Sequence, residues 1–275
     1  MNRTIAQALA AARLDAVDAR ALFRHVLGVD DAYLIAYAAQ ALTGAQSEMF
    51  DALVARRSAG EPVAYITGRR EFFGLEFEVM PAVLIPRPET ELLVEFALDK
   101  IAVDGALQVL DLGTGSGCIA ISIAQHTPRA QVVAVDRSVA ALAVARNNAR
   151  RHGANNLEII ESDWFGALGA KCFDVIVANP PYVTANDPHL AQGDVRCEPR
   201  EALVAGADGL ECIRAIVATA PRHLNRGGWL AFEHGYDQAA RCRELLAHAG
   251  YQNTFTRADL AGIGRVSGGR WQAQS

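Results

Sequence analysis

Four consecutive residues, Asn179-Pro180-Pro181-Tyr182, carry the densest chemistry in the chain. The Asn179 side-chain oxygen is one hydrogen-bond acceptor, and the Pro180 carbonyl is a second. The two prolines stiffen the turn and fix the direction of that carbonyl. Tyr182 adds a flat ring face. Two acceptors and a plane can grip both N–H bonds of a planar –NH₂ group and hold the group that bears it. Asn179 is not a base in this reading, because no ordinary side chain can deprotonate such a nitrogen in advance.

A second stretch, VLDLGTGSGCIA at residues 109–120, reads as strand, tight glycine turn and helix. Gly113, Gly115 and Gly117 let the backbone approach a ligand where a Cβ would intrude. A dinucleotide fingerprint is G-x-G-x-x-G. Here the third glycine comes one residue early and Cys118 holds the fingerprint position, which disfavours a dehydrogenase. Asp111, two residues before the first glycine, is expected at the mouth of the loop, where it would repel a pyrophosphate but not a cationic sulfonium. Asp136 ends the run VVAVD, where a carboxylate can accept from both hydroxyls of a ribose. It also precedes a helix and can cap it. Asp163 and Trp164 end a third run and could meet an adenine, with Trp164 packing under the base. Three acids at three successive strand ends are hard to assign to capping alone.

These residues need a frame that gathers strand ends. From about residue 90, short apolar runs at 107–112, 132–135, 157–160, 173–178 and 229–232 alternate with helical stretches such as 139–151. That alternation predicts an α/β, doubly wound, mostly parallel sheet. Ligands of such sheets sit beyond the carboxyl ends of the strands, where all the residues above fall. Residues 1–70 read instead as a small all-helical domain. Ala19, Leu22, Phe23, Val26 and Leu27 recur at helical spacing, Gly28 marks a stop, and Thr43-x-x-Gln46 has the form of a capping box. Residues 71–85 crowd aromatic and β-branched residues around Gly74, as in a β-hairpin connector, and the main domain spans 86–275.

The bulk properties narrow the function classes. A chain of 275 residues suits a main domain with a smaller one attached, and 51% hydrophobic with 21% charged residues is ordinary for a soluble protein. Five cysteines without a C-x-x-C argue against a disulfide framework or zinc site and for a reducing cytosol. None of the seven histidines has metal-ligand spacing, so no metal is expected. The N-terminal segment alternates charge with alanine and lacks the apolar region of a secretory signal. No apolar run is long enough for a membrane helix. The net charge is −5, and the pairs Arg56-Arg57, Arg69-Arg70 and Arg150-Arg151 are dispersed, as on a solvated surface. There is no lysine-rich arm or aromatic-interleaved basic stripe, which an enzyme that flips a base out of DNA would need.

The glycine loop and the acids that follow it resemble the class I S-adenosylmethionine-dependent methyltransferases over roughly residues 86–275. The resemblance implies a seven-stranded sheet whose last strand, near 264–271, is antiparallel. It implies S-adenosyl-L-methionine as the methyl donor, held by Asp111, Gly113, Thr114, Gly115, Ser116, Gly117, Asp136, Asp163 and Trp164. Asn179 is assigned to both the donor and the acceptor site. Motifs of the NPPY type occur in enzymes that methylate adenine in DNA, bases in RNA and glutamine in proteins, and the clamp alone does not separate them.

Longer runs sharpen the resemblance. LIPRPETELLVE, DLGTGSGCIAI, SDWF, NPPYV and GDVRCEPREALVAGADGL, with EPVAYITGRREFFGLEFEV before them, are together similar to the bacterial release-factor glutamine N5-methyltransferases, the HemK/PrmC family, across most of the chain. The family implies methyl transfer to the side-chain N5 of the glutamine in the Gly-Gly-Gln motif of class 1 peptide chain release factors. Asn179, Pro180 and Tyr182 would act at the reaction, with Pro181 beside them at the substrate, and the helical N-terminal domain would contact the release factor. The closing GRVSGGRW departs mildly from the family through its paired glycines. A cytoplasmic monomer without direct nucleic-acid or membrane contact is expected. A nucleic-acid amino-methyltransferase acting on adenine N6 or guanine N2 is the alternative. A non-catalytic adaptor is a third reading, opposed by the intact glycine loop, Asp136 and Asn179. Three residues stay unassigned: Arg87 and Glu89 either shape the substrate mouth or cap the next helix, and Glu233 either supports the site or simply ends a polar strand.

Overall fold

Local signals start and stop the helices of the first part of the chain. The computed structural model describes residues 3–101 and 106–272; the chain ends 1–2 and 273–275, counted in the domain spans above, lie outside it. Five helices come first: α1 (Ile5–Ala11), α2 (Ala16–Leu27), α3 (Asp31–Ala36), α4 (Gly44–Ser58) and α5 (Val63–Thr67). Asp15 accepts from the Val17 N–H at the start of α2, and Gly28, in the left-handed conformation, ends it. Thr43 and Gln46 form the expected reciprocal capping box on α4. The buried faces meet around Ile5, Leu22, Phe23 and Phe50, with the two phenylalanine rings 4.3 Å apart. This burial is what stabilises such short helices.

The chain divides into two units. The first runs to Arg69 and also takes in His189–Cys197; the second holds Arg70–Pro188 and Glu198–Ser275. The nine-residue excursion is bound into the helical unit by charge: Arg57 meets Asp18 at 2.6 Å and Asp194 at 2.6 Å. The solvated reading of the arginine pairs therefore does not hold for Arg57, whose guanidinium is held between two carboxylates. Arg56 likewise pairs with Glu61, and Arg151 with Glu76.

The second unit opens with a tight hairpin, β1 (Arg69–Phe72) and β2 (Leu75–Glu78). Its two turn residues, Phe73 and Gly74, both have positive φ, the geometry that matches the twist of a two-residue hairpin. Then follow α6 (Glu91–Lys100), β3 (Gln108–Leu112), α7 (Cys118–His126), β4 (Gln131–Asp136), α8 (Val139–His152), β5 (Leu157–Glu161) and β6 (Phe173–Ala178). The chain ends with α9 (Glu211–Thr219), β7 (Leu224–Glu233), α10 (Ala239–His248), β8 (Gln252–Ala258) and β9 (Gly264–Arg270). Seven strands form one sheet in the order β5-β4-β3-β6-β7-β9-β8. All are parallel except β9, which runs antiparallel to both neighbours, as expected for the last strand.

Each face of the sheet has its own core. Leu93, Phe96, Ile121 and Val175 belong to one, and Leu110, Ile176, Ile213 and Phe232 to the other. Strand order reverses at β3, between β4 and β6, and that is where a doubly wound sheet opens a crevice.

Candidate active site

Register aligns the strand tips. Leu112 pairs with Val135 on one side and with Ala178 on the other, and Ala178 pairs with Phe232. The next residue of each strand, Gly113, Asp136, Asn179 and Glu233, therefore falls in one row along the carboxyl edge. A cavity of about 310 Å³ opens above this row, a volume within the range of small-molecule sites.

The glycine loop closes one end of the cavity. Gly113, Gly115 and Gly117 all have positive φ, which accounts for the G-x-G-x-G pattern. The third glycine serves packing rather than ligand approach: a Cβ on Gly117 would stand 2.9 Å from Ile121 Cδ1 and 3.3 Å from Ala145 Cβ. Gly113, Thr114, Gly115 and Ser116 line the cavity. Asp136 lines it too, and each of its oxygens already accepts one backbone N–H, from Gly115 and from Ser138, both at 2.9 Å. Asp136 thus ties the loop to the start of α8 and keeps lone pairs for a ligand. Asp163 and Trp164 form another wall. Trp164 holds a φ of +47°, unusual for a bulky side chain and the kind of strain found at ligand sites. Its ring lies 3.6 Å from where a Gly113 Cβ would be.

Asp111 is not at the mouth of the loop. Side chains alternate along β3, so Asp111 shares the face of Val109, beneath α7, while Leu110 and Leu112 face the other core. It is fully buried, does not line the cavity, and accepts from Thr114 Oγ1 at 2.7 Å. Its other oxygen, Oδ1, meets no hydrogen-bond partner of good geometry among the described residues. Its effect on a ligand must pass through Thr114.

At the tip of β6, Asn179 and Pro181 line the cavity, Pro180 is buried and Tyr182 is half-buried. Asn179 Nδ2 donates to Thr90 Oγ1 at 3.1 Å, Thr90 Oγ1 donates to Glu233 Oε2 at 2.6 Å, and the Tyr182 hydroxyl donates to Glu233 Oε1 at 3.0 Å. Gly209 lets the loop close on this motif, since a Cβ there would sit 2.4 Å from the Tyr182 carbonyl oxygen. Val183 and Val204 pair as an isolated bridge and continue that wall. Several lining residues were not singled out in the sequence: Thr90 and Glu201, which lie within the runs that carry the family resemblance, and Arg137 and Glu211. Arg87 also lines the cavity and is paired with the buried Glu198, which accepts from the Ile85 N–H as well.

Burial raises two carboxyls to about 7. For Asp111 the desolvation outweighs the Thr114 hydrogen bond, and for Glu233 it outweighs the bonds from Thr90 and Tyr182, with the charge of Glu89 adding to it. Both groups titrate near 4 in an unfolded chain, so the folded state binds more protons between about pH 4 and 7. The stability this contributes is fully present below about pH 4 and is lost as pH rises to about 7. Lowering the pH from 8 to 6 should therefore raise the stability through both carboxyls. Buried His234, held below the usual imidazole range by desolvation, opposes the gain below about pH 6.5. A higher calorimetric melting temperature at pH 6.5 than at pH 8 is expected, and the reverse order would refute this account.

The donor set fits a cationic nucleoside. Asp136, Asp163, Glu201 and Glu211 face the cavity against Arg87 and Arg137, leaving an acidic balance. Ala82, Val83 and Leu84 supply an apolar wall. Among the described residues no cluster could hold a metal ion, and no helix is long and apolar enough to cross a membrane.

A seven-stranded sheet with one antiparallel strand, opening at its switch point into this cavity, defines a class I methyltransferase fold. Residues 88–196 match the Methyltransferase small domain family, and residues 3–68 match the PrmC N-terminal domain family. A methyltransferase from Pyrococcus furiosus shares the fold, with a TM-score of 0.55 at 21% identity over 79% of this chain and 97% of its own. Two relatives named release factor glutamine methyltransferase align almost end to end. The one from Burkholderia pseudomallei is 55% identical over 97% of this chain and 96% of its own, and the one from Pseudomonas aeruginosa is 49% identical over 93% and 92%. The chain belongs to the release factor glutamine methyltransferase family.

Proposed function

We infer that the chain transfers a methyl group from S-adenosyl-L-methionine to the side-chain N5 of the glutamine in the Gly-Gly-Gln motif of class 1 peptide chain release factors. The observation that carries this reading is family membership along both units, including the helical one. The site supports it. Asn179 stands at the cavity with its amide nitrogen bound to Thr90, so its oxygen is turned to accept from an incoming amide. Of the dispersed arginine pairs, Arg56, Arg57 and Arg151 are engaged by nearby carboxylates rather than presented as a stripe that could track a nucleic-acid backbone. We expect a cytoplasmic monomer that needs no direct contact with nucleic acid.

The geometry supports the following roles. Asp136 and the loop from Gly113 to Ser116 would hold the ribose and amino-acid parts of the donor, with Gly117 packing the loop against α7 and α8, Asp111 bracing Thr114 from below, and Asp163 and Trp164 at the adenine. Bound there, S-adenosyl-L-methionine supplies an electrophilic methyl carbon. Asn179 Oδ1 and the Pro180 carbonyl accept the two N–H bonds of the acceptor amide, and the Tyr182 ring and Pro181 keep its plane. The nitrogen is thereby aimed, and positive charge growing on it is stabilised by both acceptors. Its extra proton becomes acidic once the new N–C bond has formed and leaves to water, so no side-chain base is needed. Burial and the neighbouring Glu233 hold the Tyr182 phenol well above its ordinary range, and it stays a hydrogen-bond donor.

The test uses labelled S-adenosyl-L-methionine with unmethylated release factor, and in parallel with total RNA and DNA. Peptide mass spectrometry should find a single methyl on the Gly-Gly-Gln glutamine. Label confined to nucleic acid would overturn the substrate and keep the fold.

A further inference from the structure

Asn179 can serve as an acceptor only if its amide is turned the right way, and nothing in the residue itself fixes that. Its oxygen and nitrogen have nearly the same shape, so the hydrogen bonds around them must decide. The deciding chain starts at Glu233, which is fully buried at the tip of β7. An ionised carboxylate can only accept. Thr90 has one hydroxyl hydrogen, and at 2.6 Å it goes to Glu233 Oε2. The Thr90 oxygen can then only accept from Asn179, 3.1 Å away, and the group it faces must be the amide nitrogen. The second carboxylate oxygen takes the Tyr182 hydroxyl at 3.0 Å, so the same charge anchors the ring of the NPPY motif.

We propose that Glu233 and Thr90 are positioning residues: the negative carboxylate sets the direction of every hydrogen bond in the chain and thereby turns the Asn179 oxygen toward the acceptor amide. A proton on Glu233 Oε2 would reverse the chain. Glu233 would donate to Thr90, the Thr90 hydrogen would be released toward Asn179, and the amide would be drawn round with its nitrogen toward the acceptor. An N–H of Asn179 would then face one N–H of the glutamine, and the clamp would keep only the Pro180 carbonyl as an acceptor.

The groups around Glu233 include its chain neighbour His234, which is bonded to Ser267 and held below the usual imidazole range by burial. Glu89, on the turn before α6, adds negative charge, and Arg265, on β9, opposes it while itself bound to Asp259 at 2.9 Å. Tyr182 and Cys118, at the start of α7, are both held in their neutral forms by burial. Asp111 lies under the glycine loop and also titrates near 7, so a variant must separate the two.

This inference rests on the methyl-transfer reading of the site. Its test uses the full-length protein, with single-turnover rates at saturating donor and release factor, and a donor-free measurement beside them. Thr90→Val should lower the rate about 10- to 100-fold with donor affinity within about threefold, and Thr90→Ser should restore it to within about threefold of wild type. The wild-type rate should fall about tenfold per pH unit below about 7. Glu233→Gln, whose head group keeps one acceptor and adds a donor, should be at least about tenfold slower and lose that acid limb. Melting temperatures identify any variant that fails to fold. The side-chain NH₂ signal of Asn179, identified by its loss in Asn179→Ala, should shift with pH near 7 in wild type and stay fixed in Glu233→Gln. Equal rates for Thr90→Val and wild type, a folded Thr90→Ser no better than Thr90→Val, or an acid limb that survives in Glu233→Gln would each overturn the proposal, the last by assigning the limb to Asp111. If wild type methylates no release factor, the functional reading has failed instead. The Asn179 signal then decides the polarity alone, and one indifferent to Glu233→Gln refutes it.

Discussion

Replacing Asn179 by alanine is expected to cut methyl transfer by at least about 10²-fold while leaving donor affinity within a few-fold of wild type. Removing one preorganised polar contact at a reacting centre costs about 2.7–4 kcal/mol, which sets the size of the loss. Among the described residues the Asn179 side chain bonds to Thr90 and not to the glycine loop, and Thr90 keeps its bond to Glu233 when the amide is gone, so the donor-side walls stay in place. Asn179→Asp is the informative companion. It keeps the shape and both acceptors, but it loses the N–H that meets Thr90 and brings a negative charge toward the buried Glu233 carboxylate. It should be as impaired as the alanine variant. Rates within tenfold of wild type at saturation, for Asn179→Ala, would sink the clamp.

Asp136→Ala should act on the other half of the reaction. Hydrogen bonds to a charged acceptor contribute about 1.5–3 kcal/mol each, so losing the carboxylate should raise the dissociation constant for S-adenosyl-L-methionine about 10- to 150-fold. The rate extrapolated to saturating donor should change much less, because Asp136 stands at the tip of β4, next to β3, whereas the acceptor clamp stands at the tip of β6. The variant also frees the Gly115 and Ser138 N–H groups, so some of the loss reflects a looser loop. Asp136→Asn keeps an acceptor there and should recover part of the affinity. Calorimetric titration decides the matter, and a dissociation constant for Asp136→Ala within threefold of wild type would remove Asp136 from the donor site.

Much of this arrangement was visible in the sequence because it is local. The glycine spacing, the strand ends and the Thr43 capping box each depend on a few neighbouring residues. The antiparallel last strand came from family resemblance. What escaped depends on distant residues or lacks a pattern. Thr90 meets Glu233 across 143 positions, so the chain that orients Asn179 leaves no periodic trace. Strand β8 is half-buried to exposed throughout, and with no alternation of apolar residues it was missed. Asp111 looks like a ligand-facing acid because it lies near a strand end, but the two-residue period of β3 turns it under α7. Nothing in His189–Cys197 announces that it packs with helices more than a hundred residues earlier; the Arg57–Asp194 pair does that work in the fold.

That last feature bears on how such an enzyme can be inherited. The helical unit looks like an N-terminal cassette that gene fusion could trade between methyltransferases. It is not one, because nine of its residues are encoded inside the other unit. They begin seven positions after Tyr182 and end one before Glu198, the partner of Arg87 at the cavity. A recombinant that took only the first 69 residues would receive Arg57 without Asp194. Insertions or deletions in this stretch would disturb the helical unit and the chain between the NPPY motif and Glu198 in a single event. An exchange that kept the helical unit whole would have to carry the connection between β6 and α9 together with the first 69 residues.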